Sequence, residues 1–234
     1  MKRQYIAISQ RLYSMQEYNE VRESLALDWG QFFTEYLHDF LMLPLSYKQD
    51  ITPYLPYIAG IILSGGNDLS IFNDTHLNRE RDVFETNIIE LCIRYSIPLL
   101  GICRGAQMIA HYFDSQITPC INHVGLHEVE QNLSSIHSDV SVESRTQIFE
   151  GLEATQRFRT NSFHNYAITQ LGKELEILAI CNNSNNLSIE AFKHKFHNIV
   201  GIMWHIEREM GMLNSDIFQY WKNTLCKDFK NKDM

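Results

Sequence analysis

The sequence predicts an α/β protein with an open, mostly parallel sheet, helices on both of its faces and a small antiparallel section. Three observations carry that reading. Four short apolar runs lack the polar alternation of a half-exposed strand. Helix-period patterns separate them. From about Ile117 onward the texture changes to shorter, alternating segments.

The apolar runs are Tyr5–Ser9, Phe40–Leu45, Ala59–Leu63 and Pro98–Ile102, each suited to a strand buried on both faces. The clearest helix spans about Asn78 to Tyr95, with Val83, Ile88, Leu91 and Cys92 roughly on one side. A second spans Arg104 to Phe113, where Ala106, Ile109, Ala110 and Phe113 are apolar. In the second half, Glu128–Leu133, Leu175–Ile180, Leu187–Phe192 and Ile199–Trp204 read as antiparallel strands and hairpins. An Asn/Ser turn at 182–186 separates two of them. A last helix, about Ser215 to Leu225, presents Ile217, Phe218, Trp221 and Leu225 for packing. The segment 10–40 carries no decisive motif.

Bulk properties narrow the function classes. A chain of 234 residues with no repeat and no Pro/Gly/Ser linker is expected to form one domain, 1–234, with a full core. Hydrophobic residues at 44% and charged residues at 21% are a globular composition. The net charge of −8 argues against nucleic-acid binding, which needs a basic face. It leaves room for a small anion held by a local pair of arginines. The five cysteines are odd in number, widely spaced and without a CxxC pair, so neither a disulfide framework nor a metal site is expected. With no signal core and no apolar run of membrane-spanning length, no membrane contact is expected, and the cytoplasm is the default compartment. No Walker loop and no GxGxxG appears, so no cofactor is expected.

The most informative stretch is Pro98-Leu99-Leu100-Gly101-Ile102-Cys103-Arg104-Gly105-Ala106-Gln107. A buried strand ends, a cysteine follows with glycines two before and two after, and a helix begins. This is strand–turn–helix geometry for a nucleophile. The helix N-terminus favours thiolate and offers backbone N–H groups to an oxyanion. A structural cysteine in a tight turn is the plainer alternative. In Trp204-His205-Ile206-Glu207, an apolar strand leads to a histidine with a carboxylate two residues on. Glu207 can then fix the imidazole tautomer that accepts a proton from Cys103, though a surface His-Glu pair would look the same. A third strand end, Leu63-Ser64-Gly65-Gly66-Asn67-Asp68, places paired glycines where clefts form in open α/β sheets. Gly66 N–H and Arg104 N–H together are candidates for an oxyanion hole; the alternative is an ordinary βα turn. An acid that follows its histidine points away from the α/β-hydrolase order.

These pieces, in this order, resemble the class I glutamine amidotransferases, and among them the free-standing γ-glutamyl hydrolases. Arg81-Asp82-Val83-Phe84-Glu85, Asn161-Ser162-Phe163-His164 and Ile189-Glu190-Ala191 extend the resemblance over nearly the whole chain. It implies a flavodoxin-like sheet and a Cys103–His205–Glu207 triad that hydrolyses a γ-glutamyl amide through a glutamyl thioester. It implies substrate-binding roles for Gln107, His164 and Glu190. Three positions depart from the pattern. Ile206 stands for the usual proline, Tyr166 for a glutamine, and the short insert between the first strands carries Glu23, Asp28 and Trp29. The segments 25–30, 64–70 and 191–195 are similar to a member of that branch whose small-molecule substrate is nucleotide-linked, a γ-glutamyl group on a cytidine diphosphoramidate. That member serves capsule polysaccharide modification. Arg79, Arg81, Arg104 and Arg208 are the cations near these motifs, although Arg81 is also placed to pair with Glu85 along its helix. Aromatic residues such as Trp29, Tyr36 and Phe72 could stack on a base, although most aromatic residues are core. A γ-glutamyl amine such as γ-glutamyl-GABA and a glutaminase subunit feeding a separate synthetase are the alternative readings. A catalytically dead relative kept for binding is a further one.

Overall fold

A computed structural model describes residues 4–15, 17, 19–120, 124–132, 155–183 and 186–225. Leu133, Cys226 and the middle of the Asn/Ser turn, 184–185, lie outside these. In chain order come β1 (Tyr5–Ile8), β2 (Arg11–Met15), β3 (Glu20–Ser24), α1 (Asp28–Tyr36) and β4 (Leu41–Pro44). A 3-10 turn, Thr52–Tyr57, leads to β5 (Ile58–Leu63), α2 (His76–Tyr95), β6 (Leu99–Ile102) and α3 (Arg104–Tyr112). Then follow β7 (Gln116–Pro119), β8 (Val124–Asn132), β9 (Thr155–Phe163), β10 (Tyr166–Gln170) and β11 (Leu175–Asn183). The last elements are β12 (Asn186–His194), β13 (Ile199–Ile202) and α4 (Asp216–Asn223).

The main sheet runs β4-β1-β5-β6-β13 in parallel and continues antiparallel through β12, β11, β8 and β9. The helices lie on both faces, as expected, because the parallel strands alternate which core they feed. Ile6, Ile8, Ile62, Leu100, Ile102, Val200 and Ile202 face Trp29, Phe32 and Phe33 of α1 and Ile217, Phe218 and Trp221 of α4. Ala7, Ile61, Leu63, Leu99 and Ile199 face Ile88, Ile89 and Cys92 of α2 and Ala106, Ile109 and Ala110 of α3. No helix among the described residues is long and apolar enough to cross a membrane.

Three sequence expectations need correction. Phe40–Leu45 was read as a strand buried on both faces, yet β4 lies at the edge of the sheet and its Leu41 is 58% exposed. The run from Ile199 was read as part of an antiparallel section, yet β13 is parallel to β6 on one side and antiparallel to β12 on the other. Its continuous apolar character reports burial on both faces and carries no information about neighbour direction. On α2, Val83 was placed on the buried face but is 64% exposed. The buried stripe instead runs Asn78, Arg81, Glu85, Ile88, Ile89 and Cys92, so its N-terminal half is charged. Hydrophobic periodicity could not follow a stripe that changes from apolar to ionic.

That ionic half staples the carboxyl ends of the strands together. Glu85 accepts from Ser9 Oγ at 2.8 Å and Arg81 Nε at 2.9 Å, and it pairs with Arg104 as well. Arg104 also pairs with Asp82. Arg81 and Glu85 are fully buried. A buried ion network tolerates loss of a partner poorly, because the remaining charges stay desolvated. Glu85→Gln is therefore expected to cost about 3–5 kcal/mol of stability by urea denaturation. A cost below about 1 kcal/mol would mean that the guanidinium groups find other acceptors.

Candidate active site

Cys103 sits between β6 and α3 with φ 51 and ψ −105, a backbone conformation that costs free energy for any L-residue. The turn is held from both sides. Cys103 N–H donates to the Ile202 carbonyl at 2.8 Å, and the Cys103 carbonyl accepts from Gln107 N–H at 3.0 Å. A Cβ on Gly105 would lie 2.1 Å from the Leu63 carbonyl oxygen, and one on Gly101 would lie 2.6 Å from the Gly105 backbone. Side chains at either position would push α3 off the sheet, so the glycine spacing read in the sequence follows from close approach.

His205 and Glu207 lie just beyond β13, the strand paired to β6. His205 Nδ1 is 2.7 Å from Glu207 Oε1, which assigns the Nδ1 proton to that contact and leaves Nε2 for the thiol. His205, Glu207 and Cys103 are all buried. Asn161 fixes the histidine's backbone: its Oδ1 accepts from His205 N–H at 2.9 Å, and its Nδ2 donates to the carbonyls of His205 at 2.9 Å and Glu209 at 2.8 Å.

The electrostatics favour an ion pair. Burial pushes the Cys103 thiol up, but the hydrogen bond and charge of His205, with the charge of His164, outweigh it and hold the thiol below its ordinary range. Burial pulls His205 down, while its hydrogen bonds to Cys103 and Glu207 raise it further, to about 9. Both shifts run in the direction that favours a thiolate–imidazolium pair.

The expected substrate residues form a second buried cluster. Glu190 takes the Ser188 hydroxyl at 2.7 Å and lies 3.6 Å from His164 Nε2 and 3.5 Å from His127 Nε2. Burial raises the Glu190 carboxyl, but the hydrogen bond and charge of His164 and the charge of His127 bring it below its ordinary value. Burial lowers His164, and Cys120 and Glu190 lift it to about 10. His164 is thus a cation close enough to bias the Cys103 thiol. Gln107 Nε2 donates to the Tyr166 carbonyl at 3.0 Å, which His164 Nδ1 also approaches, at 3.1 Å. Among the described residues no group of three or more His, Cys, Asp and Glu side chains could hold a metal ion.

The glycine loop flanks His205. A Cβ on Gly65 would meet His205 Cε1 at 2.7 Å. Arg81 donates to the carbonyls of Ser64 at 2.7 Å, Gly65 at 3.2 Å and Gly66 at 2.6 Å. Because the Gly65 carbonyl turns toward Arg81, the Gly66 N–H on the opposite edge of that peptide points away from it.

The cations divide differently from the expectation. Arg81 and Arg104 are held in the buried network, and Arg79 pairs with Asp74 on the surface. Phe72 stacks on Tyr166 at 3.9 Å, and Tyr36 packs against Phe32 and Phe218. Arg208 stays at the site and is joined by Arg11, which sequence reading missed. Both line one cleft with Leu25, Ala26, Trp29, Gly66, His205 and Glu207. Arg11 opens β2 three residues past the end of β1, and the rule that clefts form past the ends of parallel strands was the signal that could have found it.

The fold and the buried Cys-His-Glu arrangement define a class. The Peptidase C26 family profile matches residues 6–207, and the chain belongs to that family. Over 218 residues it is 47% identical to the γ-glutamyl-CDP-amidate hydrolase of Campylobacter jejuni, covering 93% of this chain and 96% of that protein. It is 27% identical to the glutamine amidotransferase-like protein YvdE of Lactococcus lactis, covering 82% and 84% of the two chains. A glutamine amidotransferase of Thermotoga maritima has the same fold, with TM-score 0.61, 17% identity and coverage of 95% and 82%.

Proposed function

We propose that the protein hydrolyses γ-glutamyl-CDP-amidate to L-glutamate and cytidine diphosphoramidate, with Cys103, His205 and Glu207 as its triad. The observation that carries the chemistry is the buried chain from thiol to imidazole to carboxylate. The similarity to the C. jejuni hydrolase carries the leaving group. The Cys103 thiolate attacks the γ-carbonyl carbon, and the oxyanion takes the N–H groups of Gly66 and Arg104. Arg104 N–H, in the first turn of α3, has no intrahelical acceptor. The His205 imidazolium protonates the departing nitrogen as the amide bond breaks, and Glu207 keeps the ring in place. Neutral His205 then takes a proton from water, which attacks the thioester and releases glutamate and the thiolate.

His164 acts here as a fixed cation that favours the thiolate, and Glu190 holds His164. Gln107 lies beside the glutamyl head group. The protein acts as a single domain on a small molecule and needs no cofactor. The four described cysteines are free, which fits the reducing cytoplasm. Capsule phosphoramidate synthesis is the pathway this reading implies.

Glutamate release from γ-glutamyl-CDP-amidate, γ-glutamyl-GABA and glutamine, measured in parallel, tests the proposal. The nucleotide substrate is expected to be preferred over both others. Preference for γ-glutamyl-GABA would keep the mechanism and discard the leaving group. Glutamine hydrolysis that rises with an added synthetase would make the protein a glutaminase subunit.

A further inference from the structure

We propose that Arg11 and Arg208 form an anion grip that receives the phosphoryl oxygens of the leaving group as its nitrogen departs past His205. In naming a nucleoside diphosphate as the occupant, the grip rests on the function proposed above. Its geometry stands apart from that reading. The cleft lining contains one carboxylate, Glu207, and that group is committed to His205 at 2.7 Å. The remainder is two guanidinium groups and the His205 imidazole among small and apolar residues.

Arg11 is preorganised. Its guanidinium lies 4.6 Å from the centre of the Tyr13 ring, and its Nε would be 2.8 Å from a Cβ on Gly66, so only glycine admits it there. Asn67 binds both the N–H of Leu12, at 3.1 Å, and its carbonyl, at 3.2 Å, which ties β2 to the glycine loop. Arg11 Nε is buried without a hydrogen-bond partner. A donor so placed costs stability until an acceptor arrives.

Arg208 approaches from the other side. It lies 4.8 Å from the centre of the Phe163 ring, which itself packs against His205 at 5.7 Å. Its Nε forms an ion-pair contact with Glu207 Oε1 at 3.7 Å, longer than a hydrogen bond, and its side chain is 36% exposed. The two arginines therefore flank the group that protonates the leaving nitrogen. A guanidinium fork matches phosphoryl oxygens, and Arg81 and Arg104 are enclosed in the buried network away from this cleft.

The test measures CDP binding by calorimetry to the wild type, Arg11→Gln, Arg11→Lys and Arg208→Gln, each checked for fold by circular dichroism and melting. CDP is expected to bind the wild type. Each Gln variant should weaken it by about 10- to 100-fold, the loss of a charge-assisted hydrogen bond, with Arg11→Lys recovering part. In parallel, kcat/KM should fall about tenfold further on γ-glutamyl-CDP-amidate than on γ-glutamyl-p-nitroanilide, whose leaving group has no phosphate. Unchanged CDP affinity in both Gln variants, no CDP binding to the wild type at millimolar concentration, or equal losses on both substrates would overturn the grip. If CDP is held through the arginines but γ-glutamyl-CDP-amidate is not hydrolysed, the grip stands and the proposed leaving group falls.

Discussion

Cys103→Ala is expected to abolish glutamate release while leaving the fold intact. The substitution removes the atom that forms the thioester, so the loss is roughly 10⁴- to 10⁶-fold or more, the scale on which triad members act as a unit. It removes no hydrogen bond from the scaffold, because the turn is held by the Cys103 backbone N–H and carbonyl, which alanine retains. The melting temperature should therefore stay close to that of the wild type. Cys103→Ser should be nearly as inactive, since a hydroxyl gives up its proton far less readily than a thiol. A folded Cys103→Ala protein with substantial turnover would remove the thioester from the mechanism.

His205→Asn is the second large effect, again roughly 10⁴- to 10⁶-fold in kcat. It also moves a quantity that a merely structural histidine would leave alone. The thiolate is the form that reacts with iodoacetamide, so the pH at which alkylation rises reports the Cys103 thiol. In the wild type the thiol lies below its ordinary range, so alkylation should persist at lower pH than for a free thiol. Asparagine removes both the hydrogen bond and the charge of His205. Burial, the largest raising influence, then dominates, and the inflection should move upward. Glu207→Gln keeps the shape and a weaker contact to Nδ1, and it should cost less, roughly 10²- to 10⁴-fold. An inflection that does not move in His205→Asn, or a glutamate effect as large as the cysteine's, would show that the imidazole has been given the wrong task.

The parts of this site that were legible from the sequence are those encoded by local spacing. Glycines two before and two after Cys103 mark the junction because the helix meets the end of β5 at van der Waals distance there. His205 and Glu207 are two residues apart, so one strand end delivers both. Asn161 stood out only as part of a recognisable segment; that it grips His205 from β9 is a long-range fact. The charged stripe of α2 broke the apolar pattern and left Arg81 and Arg104 looking available when each is enclosed. Arg11 lay in a stretch without a motif, and its place beside Gly66 depends on how the β2–β3 hairpin folds over the glycine loop. The parallel core was legible from burial alone, whereas the pairing of β13 depended on partners the run itself does not specify.

The grip of Asn161 on His205 has a mechanical meaning. The nucleophile is seated in the parallel half of the sheet, through β6 and α3. The backbone of its base hangs from β13, beside β6, and is tied on its far side to β9 of the antiparallel half through Asn161. One catalytic distance is thus the difference between two anchorages, as with a bow string tied at both tips. A change that slackens β9 would detune the proton donor and leave the sulfur's own mounting undisturbed. Such a protein would be labelled at Cys103 only at higher pH, and it would turn over slowly. In this architecture, labelling of the cysteine and completed hydrolysis both report on the join between the two halves of the sheet.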